Sequence, residues 1–395
     1  MTVGRQLHLA VSLDGFGAHP AAWRRTARTP QSAFGSAALH LDAVRRAEEG
    51  LLDFVTLDDS RPIHARREGR AHGRLEAAQV LAVAAAATSR IGLVPTGLTG
   101  RLPGEVADRI ATLDHLSAGR AGWRPRVDVT PEQQKLALEP EGGPLFIELF
   151  DEADEFTRAV LGYWDSWAPG ALLGDLAGGR FVDEALIRPA DFDGVHVRAT
   201  GSARVPRPPQ GRPVIAILGH ATIPYRLVAR HAEVAFVTPA DTAGLLEIRE
   251  ELDGLRKEAG RADRSFRVFA DLNVVLAGTE AAAQERLADL DALDGEPFTS
   301  DAAVFAGSPA GLADRLEEWF RDGGADGFRL RPALLAEDLD ALVDGLVPEL
   351  QRRGLFRTAY TSATLRGHLG LPEVGDDGGH GDGPGDAHGH GDAAL

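Results

Sequence analysis

The chain has no cysteine. Disulfides, thiolate nucleophiles and cysteine-ligated zinc or iron–sulfur centres are therefore excluded, and a cytoplasmic location is expected. No run of about 18 or more apolar residues occurs, so no membrane-spanning helix is expected. The opening MTVGRQ passes at once into the strand-like LHLAVSL, which is too short and too weakly basic for a signal peptide. Positive charge is in deficit: 42 Lys and Arg stand against 59 Asp and Glu, a formal net charge of -17. Nucleic acid and anionic membranes are disfavoured as partners on that ground. Part of the charge is local, at Glu373, Asp376, Asp377, Asp382, Asp386 and Asp392, but the body stays acidic without them. HExxH, GxSxG and P-loop motifs are missing too, which leaves the corresponding hydrolase and nucleotide readings without support.

What is present is ordinary for a soluble globular protein. The 395 residues are 44% hydrophobic and 26% charged, enough for one large α/β domain or two smaller ones. Short apolar runs alternate with longer helical ones. Strands are expected at Gln6–Leu13, Asp53–Leu57, Ile91–Pro95, Arg120–Trp123, Val214–Leu218, Val234–Val237, Phe266–Val275 and Gly327–Leu330. Helical spacing falls between them, for example at Ser36–Glu49, Glu105–Leu116 and Ala240–Glu258. Eight strands with intervening helices suggest an α/β fold of the (β/α)8 TIM-barrel type, with insertions. A doubly wound sheet is the alternative, but no Gly-rich dinucleotide fingerprint follows the first strand.

Two stretches break the alternation. Leu172 to Pro213 is rich in Gly, Pro and Arg and reads as an insertion (172–213) with hairpin character inside a single domain, 1–372. Residues 373–395 are almost wholly Gly, Asp, His and Ala and read as a disordered tail. His380, His388 and His390 in that tail lack a fixed geometry, and no metal site is assigned to them.

The most specific string is Gly307 to Pro372. Ser308-Pro309 opens a helix carrying Leu312, Leu316, Trp319 and Phe320 at helical spacing, and Gly323-Gly324 stops it. As text, ADGF followed by VPELQRRGLFRT and the later LRGHLGLP resembles the C-terminal block of one family. That family is the nitrilotriacetate monooxygenase component A, pristinamycin synthase and dibenzothiophene-sulfone monooxygenase group of the bacterial luciferase-like flavin monooxygenases. RIATLDHLSAGRAGW, from Arg109 to Trp123, resembles it as well.

The resemblance implies a TIM barrel, a homodimer and a two-component reaction. In that reaction a separate flavin reductase supplies reduced FMN, and O2 oxidises a small organic substrate. It also implies site residues in the loops after the strands. His19, in the Gly-rich run after the first strand, is placed beside the substrate. Asp59 is placed against the flavin, and Thr99 also meets it. The Gly219 turn and Thr222 stand where relatives hold the FMN phosphate at a helix N-terminus.

Three departures from the family pattern bear on that site. A Tyr is missing near Gly104. The Asn and Ser that follow GRAGW in relatives are replaced in the run Arg124-Pro125-Arg126, whose arginines are either a substitute source of positive charge for a phosphate or, the preferred reading, solvent-exposed. The phosphate-gripping Ser aligns with Ala221, one place before Thr222. Each lost phosphate or charge-assisted hydrogen bond weakens binding by about 1.5–3 kcal/mol. The alternative reading is therefore a relative with a degenerate flavin site, acting as a non-catalytic binding or partner subunit.

Overall fold

The computed structural model describes residues 5–26, 37–58, 69–71, 73–127 and 143–374. The chain begins with four strands in the expected order: β1 (His8–Ser12), β2 (Phe54–Leu57), β3 (Gly92–Leu98) and β4 (Gly122–Arg126). Two short antiparallel hairpins follow, β5 (Leu172–Asp175) with β6 (Arg180–Val182) and β7 (Phe192–Asp193) with β8 (Arg198–Ala199). The chain then makes β9 (Val214–Leu218), β10 (Val234–Val237), β11 (Arg267–Leu276), β12 (Val304–Gly307) and β13 (Gly327–Pro332).

All strands except those of the hairpins pair in parallel. Neighbours run β1-β2-β3-β4-β9-β10-β11-β13, and β13 returns to β1, so eight strands close a barrel. The helices that cover it are α1 (Ala38–Glu49), α2 (Ala77–Ala85), α3 (Pro103–Leu116), α4 (Gly143–Asp165), α5 (Thr222–His231), α6 (Thr242–Glu258), α7 (Glu280–Asp294) and α8 (Pro309–Arg321). After β13 come α9 (Leu335–Ala341), a π turn at Leu342–Leu346, α10 (Val347–Arg352) and the short α11 (Leu365–His368).

Two expectations need correction. Val304–Gly307 forms a strand that the sequence reading passes over. At ten residues β11 is longer than its barrel neighbours, so its outer half, Asn273–Leu276, is left to pair with β12. The fourth strand also runs on past Trp123 to Arg126, through Pro125. By Pro125 the pairing with β9 has ended and only β3 is alongside, so the missing proline amide interrupts no ladder on the other side.

Residues alternate in and out along each strand. The lower interior is apolar, with Ala10, Phe54, Val94, Ala216, Phe236 and Phe269 in one buried cluster. Leu365 and Leu369 of α11 join that cluster from the N-terminal end of the barrel. Gly92, at the start of β3, makes room for them: a Cβ there would lie 2.6 Å from the Leu365 Cδ1 and 2.8 Å from the Phe54 Cβ. In the C-terminal block that carries the resemblance, α11 therefore closes the barrel's lower end, while β13 of the same block runs up to the cavity.

Candidate active site

Two residues further up most of the strands, the inward positions become polar, Leu218 of β9 being an exception. Ala10 gives way to Ser12, Val94 to Thr96, Gly122 to Arg124, Phe269 to Asp271 and Gly327 to Arg329. One further step brings Asp58, Arg126, Asn273 and Arg331. Above this layer the described residues bound a cavity of about 1390 Å³. It lies at the C-terminal ends of the strands, where barrel enzymes place their chemistry. Pockets for one drug-sized ligand are about 300–1,000 Å³, so this one accommodates a cofactor and a substrate together.

The floor is a dense ion network. Arg329 grips Asp271 with two prongs, Nε donating to Oδ1 at 2.8 Å and Nη2 donating to Oδ2. Arg331 also donates to Asp271 Oδ2, and its other nitrogen donates to Asp301 at 2.6 Å. Arg126 donates to Asp58, while Arg124 stands 3.8 Å from the same carboxylate. Arg124 Nη1 is 3.4 Å from the Thr96 hydroxyl. Burial, helped by the neighbouring Arg329 cation, pushes the Arg124 guanidinium down to about 9. Burial works against the charged form of Asp301, but Arg331 outweighs it and holds that carboxyl below the usual range.

The mouth differs in character. Phe16 and Trp23 from the loop after β1, and Phe146 and Phe150 from α4, supply apolar walls. Also at the mouth, α5 begins without a side-chain cap: Ala221 is the N-cap, and no acidic residue lies in the first turn. The first-turn amides are thus left for an outside acceptor, the arrangement that suits a phosphate. Gly219, which precedes this helix, is sterically required. A Cβ there would come within 2.6 Å of the Tyr225 ring.

The anticipated site residues fall into different places. Thr222 lines the cavity at the α5 N-terminus, with His220, Ala221 and Arg226. Gly219 is buried behind it, its amide donating to the Phe236 carbonyl at 3.0 Å. His19 lines the wall, fully buried, with both ring nitrogens engaged. Nδ1 accepts from the Ala21 amide at 3.1 Å, which makes Nε2 the donor to Asp291 at 3.1 Å. Its ring packs against Phe298 at a tilt of 40°, centroids 4.9 Å apart. Thr99 is buried beside β4, its amide and hydroxyl both directed at the Arg126 carbonyl. Asp59 lies outside the described residues; its neighbour Asp58 lines the cavity.

Arg124 is the clearest correction. It is expected at the surface and is instead 6% exposed, with Arg126 beside it on the cavity floor. Sequence reasoning missed it because the strand was ended at Trp123. Extending the inward register of Gly122 by two and four residues, through Pro125, would have found both arginines.

A parallel eight-stranded barrel with a large, mixed polar and apolar cavity at its C-terminal mouth defines an enzyme acting on small molecules. The comparisons with known proteins narrow the class. A sequence model of the family described as luciferase-like monooxygenase matches residues 18–339, and the chain belongs to that family. It is 30% identical to the N-acetyl-S-(2-succino)cysteine monooxygenase of Bacillus subtilis (strain 168), over 93% of this chain and 97% of that one. It is also 30% identical to nitrilotriacetate monooxygenase component A of Aminobacter aminovorans, over 94% and 98%. Among solved structures, the EDTA monooxygenase of Chelativorans sp. BNC1 superposes with a TM-score of 0.80 at 25% identity, covering 93% of this chain and 99% of that one. The monooxygenase class stands with the family, as do a small organic substrate and FMN supplied by a separate reductase. No helix among the described residues is long and apolar enough to cross a membrane.

Proposed function

We propose that this cavity is the active site of the oxygenase component of a two-component monooxygenase. The observation that carries the proposal is the cavity itself: about 1390 Å³ at the strand ends, with a cationic floor and an uncapped helix N-terminus at its mouth. The residues present fit FMN. The first-turn amides of α5, the Thr222 hydroxyl and the Arg226 guanidinium suit a phosphate. Phe16, Trp23 and Phe150 suit the apolar body of a flavin ring.

Reduced FMN supplies the two electrons that O2 needs, so that one oxygen atom enters the substrate and the other leaves as water. The chain's own contribution is to bind, orient and exclude water. His19 positions the loop after β1 by bridging it to α7 through Asp291, and it lies on the substrate side of the cavity. Thr99 fixes the outer end of β4, and with it the placement of Arg124 and Arg126. No acid–base triad is required, because the reacting electrons come from the cofactor. The assembly proposed is a homodimer working in the cytoplasm.

Anaerobic titration with reduced FMN tests the reading. Saturable binding is expected, with single turnover on addition of O2 and substrate. Absence of saturation up to millimolar FMN would favour the non-catalytic relative instead.

A further inference from the structure

The floor of the cavity, among the described residues, holds more cationic than carboxylate groups. Among the described residues, the guanidiniums of Arg74, Arg124, Arg126, Arg329 and Arg331 face the carboxylates of Asp14, Asp58, Asp271 and Asp301. The shortfall falls on Arg124. Asp58, its nearest carboxylate, already bonds Arg126 and also lies 3.7 Å from Arg74. Two buried donors on this floor, Arg124 Nε and Arg329 Nη1, have no hydrogen-bond partner. Arg329 is not merely a packing group, although its guanidinium lies 4.0 Å over the Phe236 ring. A structural ion network would be expected to match charges and complete its hydrogen bonds.

The surroundings sharpen the contrast. The chain as a whole carries a net charge of -17, yet the deepest part of this cavity is cationic. Low-dielectric walls focus such a field toward an anion that enters. Two planar guanidinium forks face each other across the barrel, from β4 and β13, near enough that the Arg329 cation acts on Arg124, and they match a flat acceptor edge such as a carboxylate.

We propose that Arg124 and Arg329, flanked by Arg126 and Arg331, form an anion subsite that receives a planar, carboxylate-like acceptor edge of a bound ligand. The inference rests on the reading of this cavity as the active site. Two sources share the chemistry: a carboxylate on the organic substrate, and the anionic pyrimidine edge of reduced flavin.

Two measurements that do not depend on turnover separate them. Citrate binding is measured calorimetrically on the flavin-free protein. The affinities for reduced and oxidised FMN are measured anaerobically, and their ratio is taken. Each is done on the natural chain, Arg124→Gln and Arg124→Lys, with thermal midpoints recorded for all three. If the substrate is the source, citrate saturates the natural chain, binds about tenfold or more weakly to Arg124→Gln, and is partly restored by Arg124→Lys, with the FMN ratio unchanged. If the flavin is the source, the natural chain prefers reduced FMN and Arg124→Gln lowers the ratio about tenfold, without saturable citrate binding. Either result supports the subsite.

The proposal is overturned if the natural chain neither binds citrate nor prefers the reduced flavin, a result that needs no variant to fold. It is equally overturned if whichever property the natural chain shows persists unchanged in a folded Arg124→Gln. Loss of all FMN binding alongside saturable, Arg124-dependent citrate binding would sink the monooxygenase reading while leaving the subsite in place.

Discussion

The Arg124 guanidinium stands 3.8 Å from a carboxylate, that of Asp58, which already bonds Arg126. This unequal sharing sets the character of the cavity floor. One cation is left in a buried place without a full counterion, at the point where a ligand would reach the bottom of the barrel.

The Asp271 carboxylate holds two buried guanidiniums, Arg329 and Arg331. Asp271→Asn removes their shared negative charge and leaves both cations in the interior. Breaking a buried pair in this way costs about 3–5 kcal/mol. Urea unfolding followed by tryptophan fluorescence is expected to show a clearly lowered midpoint. An unchanged midpoint would mean the network is more hydrated than its burial indicates.

Gly219→Ala forces a methyl group against the Tyr225 ring, at 2.6 Å before relaxation. Overpacking of this kind costs about 1–3 kcal/mol. It also shifts the start of α5, so FMN affinity is expected to fall with stability. A double-mutant cycle with Tyr225→Ala should show favourable coupling, since the second change opens space for the first. Strict additivity would deny the contact.

Thr222→Glu places a carboxylate at the α5 N-terminus. The helix tolerates it, because negative charge is favourable there. A phosphate in the same place is repelled. FMN binding is expected to weaken about tenfold or more, whereas riboflavin, lacking the phosphate, is expected to bind as before. Equal losses for both ligands would move the phosphate site elsewhere.

Below the barrel floor, Asp53 receives His8 Nδ1 at 2.9 Å and the Leu9 amide at 2.8 Å, and forms an ion pair with Arg357 at 2.6 Å. Full burial opposes its charged form, but Arg357 and His8 outweigh that and pull the carboxyl down to about 2. The unfolded chain titrates near 3.8, so folding binds the proton less tightly than unfolding does. The resulting stability, about 2 kcal/mol, is complete above pH ~4 and is lost as pH falls through about 2. Asp53→Asn should lower stability at neutral pH and flatten the acid limb between pH ~4 and ~2, read from unfolding midpoints across that window.

Much of the fold is legible in the sequence. The eight barrel strands appear as short apolar runs, and the helices between them show their spacing. Val304–Gly307 escapes because its partner, the outer half of β11, extends beyond the barrel, and nothing in a four-residue run announces such a neighbour. Among the site residues, Thr222 is legible from the Gly219 turn and the helix that follows. His19 is legible as lying near the pocket, but its pairing with Asp291 joins residues in separate elements and has no local trace.

The sequence by itself determined the ancestry and the barrel, because strand and helix periodicities are local and the Gly307–Pro372 block is one continuous string that holds the last barrel strand and the helix closing the lower end. It also set Arg124 and Arg126, like Arg329 and Arg331, two residues apart in the chain, a spacing whose meaning depends on how far each strand runs. Only the tertiary structure decided what those arginines are. Closure of β13 onto β1 and β11 brings charges from distant parts of the chain within a few ångströms, out of water. There a mismatch of charge that solvent would screen becomes the defining property of the cavity floor.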